Sequence, residues 1–160
     1  MKTPQQLYPK LAKALGIEQV YLKREDQHPY GSHKGRSIPL MIKAYLKRDG
    51  INNFVISSSG NAALAAIKMA EKHNQNNPDK QITLRVFVGK KILQKKLELL
   101  QSKIRNPESQ VHIEQVERPK QEAFQLDKSG ESKFLRQSTD DLALEGYVDL
   151  ANELYKIPNL

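Results

Sequence analysis

The sequence predicts an α/β fold, a parallel sheet with helices on both faces. Three observations predict it. Helical and strand patterns alternate along the chain. The apolar runs that read as strands are short, as in Phe54-Val55-Ile56 and Val111 to Val116. The stretches between them are long enough for helical crossovers, which parallel neighbours require. With 160 residues, 38% hydrophobic and 28% charged, one globular domain over 1–160 is expected.

The elements follow in order. A first helix is expected over Leu7 to Leu15, stopped by Gly16. Gln19 to Lys23 reads as a strand and Arg24 to Ser32 as a polar loop. A second helix runs to about Arg48, with Ile38, Met41, Ile42 and Tyr45 on one face and Gly50 past its end. Pro39 is expected to kink that helix or delay its start. The strand Phe54–Ile56 runs into Ser57-Ser58-Ser59-Gly60, and Asn61 caps an alanine-rich helix reaching about Glu71. Asn74 to Lys80 is a loop, and Ile82 to Val88 the next strand. Ile92, Leu93, Leu97, Leu100 and Ile104 recur at helical spacing. Val111 to Val116 is a strand, Pro119 to Leu126 a short helix, and Lys128 to Ser132 a loop. Leu144, Tyr147, Val148, Ala151 and Leu154 predict a last amphipathic helix ending near Pro158. Such a helix normally feeds another strand, so the topology reads as unfinished at the C-terminus.

Charge and composition narrow the function. The net charge is +8. Lys and Arg are spread over three-quarters of the chain instead of forming a block, and there is no Trp. That pattern argues against a nucleic-acid surface and suits an anionic small molecule. No apolar run approaches the length of a membrane span, and Met1-Lys2-Thr3-Pro4 opens no secretory signal. There is no cysteine, hence no disulfide framework. A cytoplasmic protein is expected. His28, His73 and His112 lack metal-ligand spacing, and no metal is expected.

Two strand–loop–helix junctions carry the chemistry. Each presents unpaired N–H groups and the positive end of a helix dipole, at the sheet edge where ligands of open α/β folds bind. The first is Pro29-Tyr30-Gly31-Ser32-His33-Lys34-Gly35-Arg36-Ser37. A lysine at a helix start faces the positive end of the dipole, a field that favours the free amine of Schiff-base chemistry. Its plain alternative is a solvated turn lysine. The second is Ser57-Ser58-Ser59-Gly60-Asn61, a cradle of hydroxyl and N–H groups for a carboxylate or phosphate. Its plain alternative is a capped turn.

Together the two junctions resemble a known family. VYLKREDQHPYGSHKGR, from Val20 to Arg36, resembles the cofactor-lysine segment of fold-type II, tryptophan synthase beta-like enzymes that depend on pyridoxal 5'-phosphate (PLP). SSSGNAALAA, from Ser57 to Ala66, resembles their serine/threonine-glycine-asparagine loop. Thr3-Pro4 and Leu11 to Gly16 also fit, and Val88 to Ile92 with Lys96-Leu97 is similar to a segment of threonine synthases. The resemblance implies the N-terminal part of that fold, with a homo-oligomer or a missing C-terminal half expected. It implies that Lys34 joins the cofactor and later takes the substrate alpha-proton. It implies that His33 lies by the cofactor phosphate and that Asn61 bonds the phenolic oxygen of the cofactor ring. Ser58, Ser59 and Gly60 would hold the carboxylate of a small amino-acid substrate, and Arg36 would support the site without reacting. Glu25-Asp26 reads as a charged loop anchoring the lysine segment.

The sequence departs from the family pattern at Gly35, where many members have Asp, and at Ala62, where Thr or His is frequent. A glycine-rich phosphate loop downstream of Gly60 is also not found. The expected function is a lyase of amino-acid biosynthesis catalysing beta or gamma elimination or replacement. Threonine synthase leads, with serine/threonine dehydratase and cysteine synthase behind. The rival is a scaffold or remnant of the same fold without turnover.

Overall fold

The computed structural model describes residues 2–106 and 108–157. In chain order they form β1 (Gln5–Leu7), α1 (Pro9–Leu15), β2 (Tyr21–Lys23), α2 (Lys34–Asp49), β3 (Asn53–Ser57) and α3 (Asn61–Asn76). Then follow β4 (Thr83–Gly89), α4 (Gln94–Gln101), β5 (Val111–Val116), α5 (Pro119–Lys128), β6 (Lys133–Phe134), α6 (Asp141–Glu145) and α7 (Val148–Leu154). Single 3-10 turns span Glu25–Gln27 and Pro78–Lys80.

The main sheet has the order β5-β4-β3-β6, and every pair in it is parallel. The chain steps outward from β3 through β4 to β5, then crosses back over the whole sheet to β6. A return crossover of constant hand must use the opposite face. Accordingly α5 lies there, with Ala123 packed on Val55, Phe87 and Phe134. α2, α3 and α4 cover the other face, on Phe54, Ile56, Leu84, Val86 and Val88. The side chains of β3 and β4 thus alternate between two apolar layers, as strands buried on both sides must. Phe54, Ile38, Ile42 and Ile67 are fully buried, each contributing about 1.5–3 kcal/mol relative to exposure.

The predicted fold class holds, with corrections to its parts. Leu7 is not helical: it pairs with Tyr21 in a small antiparallel ladder, β1 with β2. Pro9 explains this, because the residue before a proline is driven out of the helical region, and Tyr8 has φ −120° and ψ 79°. α2 starts at Lys34 and continues through Pro39, instead of starting after it. α3 runs past Glu71 to Asn76, held by buried Asn74, whose amide accepts from Ile82 N–H at 2.8 Å and donates to Ile82 O at 2.9 Å. β6 occupies Lys133–Phe134, just past the expected loop.

The last amphipathic helix is two short helices, α6 and α7, separated at Gly146-Tyr147. Leu144 and Val148, expected on its apolar face, are exposed. Gly146 is what packs: a Cβ there would lie 2.6 Å from Ser37 Cα and 2.7 Å from Arg36 O. Glycine is required for α6 to lie on the backbone of α2. Pro158, where the helix was expected to end, lies outside the described residues; α7 ends at Leu154. Among the described residues no helix is long and apolar enough to cross a membrane.

Candidate active site

Topology brings the two junctions to one edge. α2 reverses into β3 within three residues, at Gly50 to Asn52, so its start lies over the carboxyl end of β3. α3 leaves from that same end, after Ser57. Lys34 and Asn61 therefore both open helices at the edge where the sheet's ligand loops gather.

The start of α2 is tightly held. Gly35 allows the preceding loop to close on it: a Cβ would meet His28 Nδ1 at 2.4 Å and Tyr30 Cβ at 2.5 Å. The family's Asp could not stand here unless that loop moved. His28 is buried, stacked on Tyr30 with centroids 5.7 Å apart, and its Nδ1 accepts from Tyr30 N–H at 3.3 Å. It is a satisfied interior histidine. Arg36, with a side chain only 3% exposed, forks between Glu25 and Glu153 with bonds of 2.8–3.2 Å. Thr3 and Lys23 complete the cluster, Thr3 donating to Glu25 and Lys23 to Glu153. Burial acts to raise the Glu153 carboxyl, but hydrogen bonds from Arg36, Lys23 and Thr3 N–H outweigh it and hold it down to about 2. Burial is opposed in the same way at Glu25, where Arg36 and Thr3 keep the carboxyl below its usual range.

On this base Lys34 is half-buried, and its Nζ lies 5.9 Å from the ring centroid of Tyr147. His33 is exposed, with its ring 5.9 Å from the same ring. Desolvation and then the charge of Lys34 lower its pKa, which favours the neutral imidazole. Tyr147 is fixed from below by Ser37, whose hydroxyl donates to Tyr147 Oη at 3.0 Å.

The start of α3 is open. Gly60 occupies the N-cap with no side-chain bond to the first turn, so Asn61 is the first helical residue and not the cap. Gly60 N–H donates to Ser58 Oγ at 3.2 Å, folding the loop, and Ser58 N–H donates to Phe87 O at 3.3 Å. Ser59 and Asn61 are exposed, and the Asn61 amide makes no hydrogen bond among the described residues. An uncapped first turn beside a free amide is a donor set for an anionic, carbonyl-bearing ligand. A half-buried amine on the same edge can react with an aldehyde. These groups fit the aldehyde and the phenolic edge of PLP.

Fold and site thus define an open parallel α/β scaffold that gathers an amine and an uncapped helix start at one sheet edge. The model of the family described as "Pyridoxal-phosphate dependent enzyme" matches residues 1–158, and the chain belongs to that PLP-dependent family. Solved structures agree on the fold. A PLP-dependent aspartate racemase superposes with a TM-score of 0.79 at 24% identity, over 100% of this chain and 47% of its own. For the processed form of threonine deaminase isoform 2 from Solanum lycopersicum the values are 0.77, 19%, 100% and 42%. For maize serine racemase they are 0.76, 15%, 99% and 46%. The chain therefore spans less than half the length of each. No curated protein matches it by sequence.

Sequence reasoning missed two parts of the site. Tyr147 reads as one apolar position of a helix, yet it lies against Lys34, His33 and Ser37. The available signal was Gly146, a glycine inside a helical pattern. Nothing local joins Glu153, Lys23 and Thr3 to Arg36, because only folding brings them together.

Proposed function

We propose that this chain carries the lysine and the substrate-carboxylate loop of a PLP enzyme that performs beta or gamma elimination or replacement on an amino acid, a threonine synthase-like lyase. The observation that carries the reading is the pairing of a firmly based Lys34 with an open, unpartnered Asn61 at one sheet edge. When bound, PLP supplies the electron sink for the substrate carbanion. Lys34 Nζ anchors the cofactor and later takes the proton from the substrate alpha-carbon. Asn61 would donate its amide N–H to the phenolic oxygen. The Ser58, Ser59 and Gly60 segment binds the substrate carboxylate, with the helix dipole of α3 behind it. His33, neutral and exposed, would border the cofactor phosphate. The preference for threonine synthase rests on the segment Gly89 to Leu97, which turns from β4 into α4.

Borohydride reduction in the presence of PLP, followed by peptide mapping, tests the assignment. The expected result is one adduct, on Lys34. An adduct on Lys43 or Lys90 instead, or no adduct in the complete enzyme, overturns the reading, the latter in favour of a scaffold without turnover.

A further inference from the structure

A second polar cavity, of about 670 Å³, lies along α3 between Pro29 and the segment leading into β5. Lys68, Lys103 and Arg105 line it together with Glu71. The carboxylate would be the natural counter-ion, but its oxygens are engaged elsewhere. Glu71 accepts from Arg105 N–H at 2.8 Å, from Asn106 N–H at 3.4 Å and from the Ser109 hydroxyl. Those bonds pin Arg105, Asn106 and Ser109 to α3 through neutral donors. Among the described residues, none of the three cationic side chains forms an ion pair. Lys68 Nζ donates only to a neutral carbonyl, Pro29 O, at 3.2 Å. All three line the same cavity, and desolvation, then the charges of Lys103 and Arg105, lower the Lys68 pKa.

An excess of like charge held together costs free energy that an anion would return. Three cations against one carboxylate leave a local charge of +2, which matches a dianion. The volume falls within the range of small-molecule sites, and the cations converge on a concavity instead of tracking along a stripe. We propose that this cavity binds a small phosphorylated solute between Lys68, Lys103 and Arg105. It is independent of the Lys34 site and of the chemistry proposed there.

Titration of the 160-residue chain with inorganic phosphate and pyrophosphate, followed by amide chemical shifts, tests this. The expected result is saturable shifts centred on residues 68, 71, 103, 105, 106 and 109, tighter for pyrophosphate and not reproduced by sodium chloride at equal ionic strength. Arg105→Gln, an exposed change that leaves the fold unthreatened, should weaken binding by about tenfold, the loss of one charge-assisted bond. Lys68→Gln with Lys103→Gln should abolish it. Lys10→Gln with Lys13→Gln, on α1, should leave it unchanged. Shifts that never saturate, that spread over the basic surface, or that fall equally in the α1 pair overturn the proposal.

Discussion

The starts of α2 and α3 share one sheet edge but are built in opposite ways. Around Lys34 there is no spare room: Gly35 and Gly146 sit where a single methyl would strike the His28–Tyr30 loop or the α2 backbone. Arg36 ties the first turn to Glu25 and to Glu153, 117 residues along the chain. Around Asn61 nothing is filled: a Cβ on Gly60 would meet no atom within 4 Å, and the first turn has no cap. The contrast suits the role proposed for each start. A lysine with the covalent role proposed for Lys34 needs a fixed base, because a small misplacement of a reacting group is costly. A loop with the carboxylate-binding role proposed for Ser58 to Gly60 needs its donors left unused.

The contrast breaks most severely at Arg36. Arg36→Ala leaves Glu25 and Glu153 partly buried without their partner, and should cost about 3–5 kcal/mol in urea unfolding. The same cluster sets a pH dependence. Both carboxyls are depressed in the folded state, so their contribution is complete above the usual glutamate value of 4.5 and is lost as pH falls towards about 2. Wild-type stability should therefore decline through that interval. In Arg36→Ala the decline should be shallower, and an equally steep curve would show that the cluster is not its source.

Next come the glycines. Gly35→Ala and Gly146→Ala should each destabilise by about 1–3 kcal/mol, as overpacking does. Gly60→Ala, in open space, should stay within about 0.5 kcal/mol. Equal melting temperatures for the three variants would erase the distinction between the two helix starts.

Tyr147 offers a finer test. Tyr147→Phe loses the bond from Ser37 and should cost about 0.5–1.5 kcal/mol while keeping the ring near Lys34. Tyr147→Ala should in addition raise the labelling of Lys34 by a lysine-reactive ester, read by peptide mapping against Lys43. Unchanged labelling would mean that the ring does not cover the amine.

The smallest effect on folding is expected at Asn61, which is exposed and bonded to nothing among the described residues. Asn61→Ala should leave the unfolding midpoint within about 0.5 kcal/mol of wild type. In the complete enzyme it should still slow turnover on the order of a hundredfold, the scale of one lost preorganised donor worth about 2.7–4 kcal/mol. Wild-type kinetics would reduce Asn61 to an ordinary first-turn residue.

Much of this was legible in the residues themselves. Alternation of periods set the fold class, because a helix and a strand bury their apolar residues at different spacings whatever surrounds them. Gly16 and Gly50 marked helix ends through their own backbone, at φ of 67° and 66°. Lys34 and the Ser57-to-Asn61 loop could be located because a helix start is a local object. What the tertiary structure alone decided is non-local. The pairing of Leu7 with Tyr21, the docking of Gly146 on α2, the approach of Tyr147 to Lys34 and the union of Thr3, Lys23, Glu25, Arg36 and Glu153 each join distant segments. Periodicity reports which side of an element is apolar, but not which distant charge or ring will meet it. Those meetings depend on how the helices cross the sheet.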